Sequence, residues 1–572
     1  MRRAGLLPAL ALAAACGSGG GAPRVPTRAA DLLLRGGAVY TMDAARSWAT
    51  AVGVRSGRIV YVGNDSVPDG LIGAGTEVVD LAGRMVLPGF QDGHVHLLAG
   101  GMELGQCTLF TLATAAAIAD SIRACATARP GAAWIQGAGW ELTAFPGANP
   151  TREQLDLLVP DRAALFHAAD GHSAWANTRA LAAAGITRDT PDPVDGRIER
   201  DPRTGEPSGT LRESAIGLVS RLLPDPTEAE LAAGLARAQR LANEAGVTSV
   251  LEASAPESYL KAYVAADRAG KLTVRFTVAV DAKADSTGIA GLVRRLGDWR
   301  ERYSTPRVRP IAAKLYQDGV IESGTAALLA PYLDRGGDAG TPIHAQPALD
   351  SLAAALDGDG WQIHVHAIGD RAIRMTLDAF AHARRTNGAR DSRHTITHLQ
   401  LIDPADIPRF RQLGVVANFE PFWANGDEYL TRLAEPALGP GRSRWLYPIR
   451  SAVLAGAVVS GGSDWSVSSL APLDGIQVAI TRRAPSDPPS SAPWRPEEVL
   501  DLSTAIAMYT IAAAYENHQE RDTGSIELGK LADLVILERD LFDVAPSDIH
   551  EVRVMRTFVE GKTVFDRARS TR

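Results

Sequence analysis

Between residues 85 and 464 the chain passes repeatedly from a short apolar, strand-like run into an amphipathic helical stretch. Eight such runs stand out, at 85–96, 247–252, 274–280, 310–317, 361–367, 394–400, 414–420 and 457–464. Helical patterns intervene, for example at 226–245, 258–269, 371–385 and 404–413. Strand-then-helix order forces parallel strands joined by crossovers, and over this length it predicts an α/β fold, a (β/α)8 TIM barrel. A doubly wound sheet is the alternative, but no GxGxxG or Walker-type loop supports it.

Residues 97–245 are too long for one crossover and carry their own helical patterns (113–127, 151–158, 178–184) and strands near 133–137 and 164–168. They read as an insertion after the first barrel strand, where an insertion lies over the catalytic face and shapes a pocket. At both ends the texture changes to short alternating strands with Gly-bearing turns. Segments 31–86 and 515–572 are therefore expected to form one composite β-sandwich domain around a barrel spanning 87–514. Residues 481–496 are Pro- and Ser-rich and read as a surface loop.

The first residues have a different character. Met1-Arg2-Arg3 followed by an apolar run from Leu6 to Ala15 has the layout of a secretory signal, too short for a spanning helix. The stretch ends in Ala15-Cys16-Gly17, which resembles a bacterial lipobox. Cleavage after residue 15 and lipidation of Cys16 would leave residues 16–30 as a flexible tether and the protein anchored at a periplasmic or cell-surface membrane. An ordinary cleaved signal with an incidental cysteine is the alternative. Cys107 and Cys125 then remain, as a disulfide in an oxidising compartment or as two buried thiols. A net charge of −7, with no basic stripe or RNA-binding motif, argues against nucleic acid as a partner and leaves a small-molecule substrate.

Polar residues recur at the strand ends: His94-Val95-His96, Lys314, His366, His398 and Asp464. His94 and His96 at i and i+2 share one face of a strand, so both can ligate one ion. His364 and His366 also share a face; His366 lies nearer the C-terminal end, where barrels place their chemistry, and His364 reads as packing or supporting. His394 reads as structural for the same reason. Lys314 is unusual, because a protonated amine repels cations. Burial makes its proton easy to lose, and carbon dioxide can convert the free amine to a carbamate that bridges two metals. Gly461 and Gly462 before Asp464 permit close backbone approach.

With these residues in that order the chain resembles the amidohydrolase superfamily. Gly524-Ser525-Ile526-Glu527-Leu528-Gly529-Lys530-Leu531-Ala532-Asp533 continues the likeness to the C-terminus. Gly171-His172-Ser173-Ala174-Trp175, Lys314-Leu315-Tyr316-Gln317-Asp318 and His366-Ala367-Ile368-Gly369-Asp370 resemble the YtcJ-like branch, which contains N-substituted formamide deformylase.

The resemblance implies a binuclear site. His94 and His96 would hold one ion with Asp464, and His366 and His398 the other, with carboxylated Lys314 bridging. Two divalent cations, zinc by default with manganese or iron as alternatives, would lie about 3.5–4 Å apart and activate a shared water. Asp464 would move the proton to the leaving nitrogen of an amide or formamide-type bond. His172 is a candidate for polarising the substrate carbonyl and Trp175 for a pocket wall, or GHSAW is a packing turn. Gly369 stands where mononuclear deaminases of the superfamily carry the glutamate of HxxE, which argues against nucleobase deamination. Ester, lactone or phosphoester hydrolysis on the same site, and a non-catalytic binding lipoprotein, are the rival readings. A homodimer is common in the resembling family.

Overall fold

The computed structural model describes residues 28–193 and 195–570. The leader, Cys16 and most of the tether lie outside the described residues. Eight parallel strands hydrogen-bond in chain order: β1 (Phe90–Val95), β2 (Val247–Ala255), β3 (Arg275–Asp281), β4 (Val308–Tyr316), β5 (Gln362–Ala367), β6 (Thr395–His398), β7 (Val416–Phe419) and β8 (Val458–Gly461). Both faces of this sheet are covered, so its strands read as near-continuous apolar runs; Val250, Val278, Ile363, Val365 and Ile396 are fully buried. The fold is the expected TIM barrel with an added sheet domain.

The helices follow local rules. Glu228–Glu244, which leads into β2, begins with a capping box in which Thr227 accepts from the Glu230 backbone and Glu230 answers to the Thr227 backbone. Its buried Leu231, Leu235, Ala238 and Ala242 recur at helical spacing and face the barrel. Asp370–Asn387 follows β5 in the same way, burying Ile373, Leu377 and Phe380.

The strand-like run at 85–96 divides in two. Met85–Pro88 pairs antiparallel with Leu534–Leu537 in a separate sheet, and β1 starts only at Phe90. Pro88 cannot donate to a continuing ladder. At Gly89 an added Cβ would come within 2.4 Å of Thr248, so only glycine lets the chain cross from one sheet to the other here. The barrel therefore begins at residue 90 rather than 87. The two ends of the chain meet in one eight-stranded sheet, with the C-terminal strands on one side and the N-terminal strands on the other, joined where Met85–Pro88 pairs with Leu534–Leu537.

The insertion is richer in strands than its sequence suggests. Six of them form one sheet, in the order Gly196–Arg200, Pro207–Glu213, Ser173–Ala176, Ala163–Ala168, Trp134–Trp140 and Cys107–Thr108. Cys107 and Cys125 are joined as a disulfide, with Cα atoms 5.7 Å apart, tying the edge strand to helix Ala115–Ala128. No helix among the described residues is long and apolar enough to cross a membrane.

A buried ion network fastens the terminal sheet to the bottom of the barrel. Arg275, at the start of β3, donates to Asp533 at 2.8 Å and to Glu560 at 2.7 Å, and Arg307 donates to Glu560 at 2.8 Å. Arg275 and Asp533 are nearly inaccessible, so removing the guanidinium strands a carboxylate without solvent. Arg275→Ala is expected to cost about 3–5 kcal/mol of stability. Urea denaturation checks it, with metal content retained in the fraction that stays folded.

Candidate metal centre and substrate cavity

β8 reaches β1 through single contacts rather than a ladder. The Asp464 N–H donates to the His94 carbonyl at 2.8 Å, and the His96 N–H to the Trp465 carbonyl at 2.9 Å. Asp92, just before His94, accepts from the backbone N–H groups of His94 (3.1 Å) and Ser463 (3.0 Å). Burial pushes its carboxyl up to about 7, against the pull of these bonds. Gly462 sits so close that an added Cβ would lie 2.8 Å from the His94 Cβ.

At this seam the sequence-selected residues meet. One ligand atom each from His94, His398 and Asp464 lies within 4.8 Å of the others. His94 Nε2 is 3.5 Å and His96 Nε2 3.4 Å from Asp464 Oδ1. Lys314 Nζ is 3.4 Å from His94 Nε2. The His366 and His398 rings stand 4.5 Å apart. Two of these residues hold left-handed backbone, His398 at φ 77° and Asp464 at φ 48°. Such conformations cost about 1–3 kcal/mol each and concentrate at functional sites.

Each imidazole is set by a neighbour. His366 Nε2 donates to the Gly319 carbonyl at 3.2 Å, leaving Nδ1 with the free lone pair. His94 Nδ1 meets His364 Nε2 at 2.7 Å, so Nε2 faces Lys314 and Asp464. His364 is thus a brace, and its other nitrogen lies 3.7 Å from buried Glu516. His394 points away, bonded to Asp357 and the Ile363 N–H. Asp318 accepts from the N–H groups of Ala327, Ile368 and Gly369 and shapes the loop after β5. Asp370 accepts from the Leu329 N–H.

The donor set suits divalent metal. Asp464 Oδ1 is buried without a hydrogen-bond partner, a costly arrangement unless something else satisfies it, and His398 Nδ1 lies 3.1 Å from the Glu420 carboxylate, which leaves Nε2 with the free lone pair. Burial, with Lys314 and neighbouring imidazoles adding repulsion, drives His94, His366 and His364 well below their ordinary pKa, so their rings are neutral donors. Burial also lowers the Lys314 ammonium, although Asp464, Glu420 and Asp281 oppose it. Nitrogen and oxygen donors of this kind fit a divalent metal ion.

Over the clustered histidines and Asp464 the insertion contributes His172. Its Nδ1 lies 2.8 Å from Glu213 Oε2, and its ring is 5.0 Å from that of His366. Burial opposes the charge, but the Glu213, Asp170 and Asp464 carboxylates outweigh it and hold the imidazolium up to about 9. Glu213 also accepts from the Thr325 hydroxyl at 2.7 Å, linking the insertion to the loop after β4. No sequence motif flagged Glu213 or Glu516, since each acts through a partner distant in the chain. Trp175, a candidate pocket wall, lies elsewhere: it is buried in the insertion core against Phe145 and Trp140 and donates to the Thr151 carbonyl. Strand alternation explains this. Trp175 sits on the face of its strand that meets the insertion helices.

The cavity has two lobes that share His172, His366, His398 and Asp464. One, of about 670 Å³, is bounded by His96, Lys314, Tyr316, Asp281 and Lys283. The other, of about 720 Å³, runs between the insertion and the loops after β4 and β7.

Comparison with known proteins agrees with this architecture. The model of the amidohydrolase family matches residues 77–565. The chain belongs to the amidohydrolase family. This amidohydrolase is 29% identical to the putative amidohydrolase YtcJ of Bacillus subtilis, over 94% of the chain and 99% of that protein. It is 30% identical to N-substituted formamide deformylase of Arthrobacter pascens, over 95% of the chain and all of that protein. Among solved structures, an uncharacterised metal-dependent hydrolase of Pyrococcus furiosus matches with a TM-score of 0.68 and 25% identity, covering 89% of this chain and 99% of that one. The likeness to the YtcJ-like branch holds along nearly the whole amidohydrolase chain, and it supports metal-dependent hydrolysis of carbon–nitrogen bonds as the general activity.

Because His364 orients His94, His364→Asn is expected to weaken metal binding about 10–100-fold. Competition with a chromogenic chelator measures it, and a parallel thermal melt separates that loss from unfolding.

Proposed function

We propose that this amidohydrolase hydrolyses an amide or formamide-type bond at a binuclear site. The convergence of His94, His398 and Asp464 beside Lys314, at the C-terminal end of the barrel strands, carries the reading. His94, His96 and Asp464 would hold one ion and His366 and His398 the other. Lys314, carboxylated by carbon dioxide, would bridge them; a buried amine with a lowered pKa is suited to that reaction. Divalent ions held there would supply a nucleophilic water and a Lewis acid for the substrate carbonyl.

The chain's own residues do the rest. Asp464, its carboxyl raised by burial, accepts the proton of the attacking water and passes it to the leaving nitrogen. His172, kept charged by Glu213, donates to the oxygen on which negative charge develops. We further propose export and anchoring through a lipid on Cys16. The Cys107–Cys125 disulfide supports an oxidising compartment.

The mature protein, prepared with bicarbonate and divalent metal, is expected to carry about two ions per chain. Lys314→Ala is expected to carry about one or none by elemental analysis. Equal content in both forms overturns the bridge. On a panel of amides, formamides and esters, C–N substrates are expected to turn over fastest; ester preference overturns the bond assignment. His172→Asn is expected to lower kcat about 10²–10³-fold with metal content unchanged.

A further inference from the structure

The lobe of about 720 Å³ has a chemistry that the proposed hydrolytic step does not use. Of the six carboxylates that line it, four, Glu141, Asp170, Glu322 and Asp427, stand apart from Asp464 and from Glu428, which pairs with Arg432; the lining contains no lysine or arginine, and the His172 imidazolium stands where this lobe meets the first. Neutral donors hold the four: the Tyr429 hydroxyl on Glu141 at 2.7 Å, the Gln400 amide on Glu322 at 2.6 Å, and backbone N–H groups on Asp170 and Asp427. Burial raises all four carboxyl pKa values, and mutual repulsion adds to it on Glu141 and Glu322.

Two aromatic residues complete the lobe. Trp423 lies nearly parallel to the His398 ring, 5.5 Å between centroids and 15° between planes, so the aromatic wall begins at the metal-facing residues. Tyr447 is only 3% exposed, lines the lobe, and its phenol makes no hydrogen bond to any described residue. A phenol without a protein partner, aromatic faces and, in Glu141, Glu322 and Asp427, carboxylates held by neutral donors are features that bind an organic cation, whereas Asp170 already faces the His172 imidazolium and Arg212. The first lobe differs, because Lys283 contributes positive charge there.

We infer that this second lobe receives a cationic substituent of the substrate, a protonated amine, quaternary ammonium or guanidinium on one side of the scissile bond. The placement of that bond rests on the hydrolase reading above; cation binding itself does not. The lobe shares His172 and Asp464 with the metal face, so a short aliphatic spacer connects the cation to the reacting carbonyl.

Calorimetry on the full metal-loaded protein tests it with choline and its neutral isostere 3,3-dimethylbutan-1-ol. Choline is expected to bind about tenfold or more tightly than the alcohol. In Glu322→Gln and Asp427→Asn the advantage is expected to fall below about threefold. Equal binding of the two probes to the wild type, or no detectable binding of either, overturns the inference whatever the variants do. A second arm compares the monoformamide of 1,4-diaminobutane with N-formylpentylamine. A higher kcat/KM for the cationic formamide is expected. Choline selectivity with neither formamide hydrolysed removes the hydrolase reading and keeps the lobe. Equal hydrolysis of both, without choline selectivity, removes the lobe and keeps the hydrolase.

Discussion

β1 and β8 come together without a shared ladder, and the chemistry of the C-terminal face depends on that seam. The Asp92 carboxylate accepts from both sides of it, at His94 and at Ser463. Gly462 gives up its side chain so that the His94 backbone can lie against it. Asp464 and the histidine pair then face each other within 3.5 Å although 370 residues separate them in sequence. A side chain at Gly462 or a neutral residue at Asp92 would move the first and last ligand positions apart before touching any donor atom. Placement to within about 0.5 Å matters for metal and transition-state contacts, so the seam sets the geometry on which the rest of the site builds.

Much of this was legible from the chain. The alternation of apolar runs and amphipathic helices identified the barrel, and the six chemistry-bearing residues singled out at strand ends lie together at one end of it. Period-2 geometry placed His94 and His96 on one face, and nearness to the strand end separated His366 from His364. The harder parts share a cause. Pro88-Gly89 lies inside a run that reads as one strand, and only pairing with Leu534–Leu537 reveals the crossing. The insertion strands are short and flanked by turns, so their ladder partners, rather than their own composition, make them strands. Trp175 and His172 stand three residues apart, yet one faces the insertion core and the other the His366 ring. Motif likeness reports that a segment is retained, not which of its side chains turns toward the substrate.

Glu213, Glu516 and Asp318 illustrate a second limit. Glu213 is a partly buried carboxylate that holds an imidazole, buried Asp318 holds three backbone N–H groups, and buried Glu516 lies 3.7 Å from the imidazole that braces His94. Carboxylates in low dielectric are costly unless hydrogen-bonded, and these are placed where the bonds they accept orient the site. A single sequence carries no spacing rule for such partners, because the distance between them is set by the fold rather than by a helix or strand period.

The insertion's position after β1 has a physical consequence for how substrate meets metal. His172 comes from the insertion and Thr325 from the loop after β4, and Glu213 contacts both. One carboxylate thus couples the element over the cavity to the strand that supplies Lys314. Glu213 itself adopts left-handed backbone at φ 49°, a strained conformation for a non-glycine residue, held by its neighbours on both sides. The barrel fixes the clustered histidines and Asp464 while the insertion supplies the charged group facing them, and the two are joined at Glu213 as well as through Tyr429–Glu141 and Arg197–Ser323. Variation in the loops that line the two lobes can therefore change what enters the cavity without moving the residues that meet at the seam.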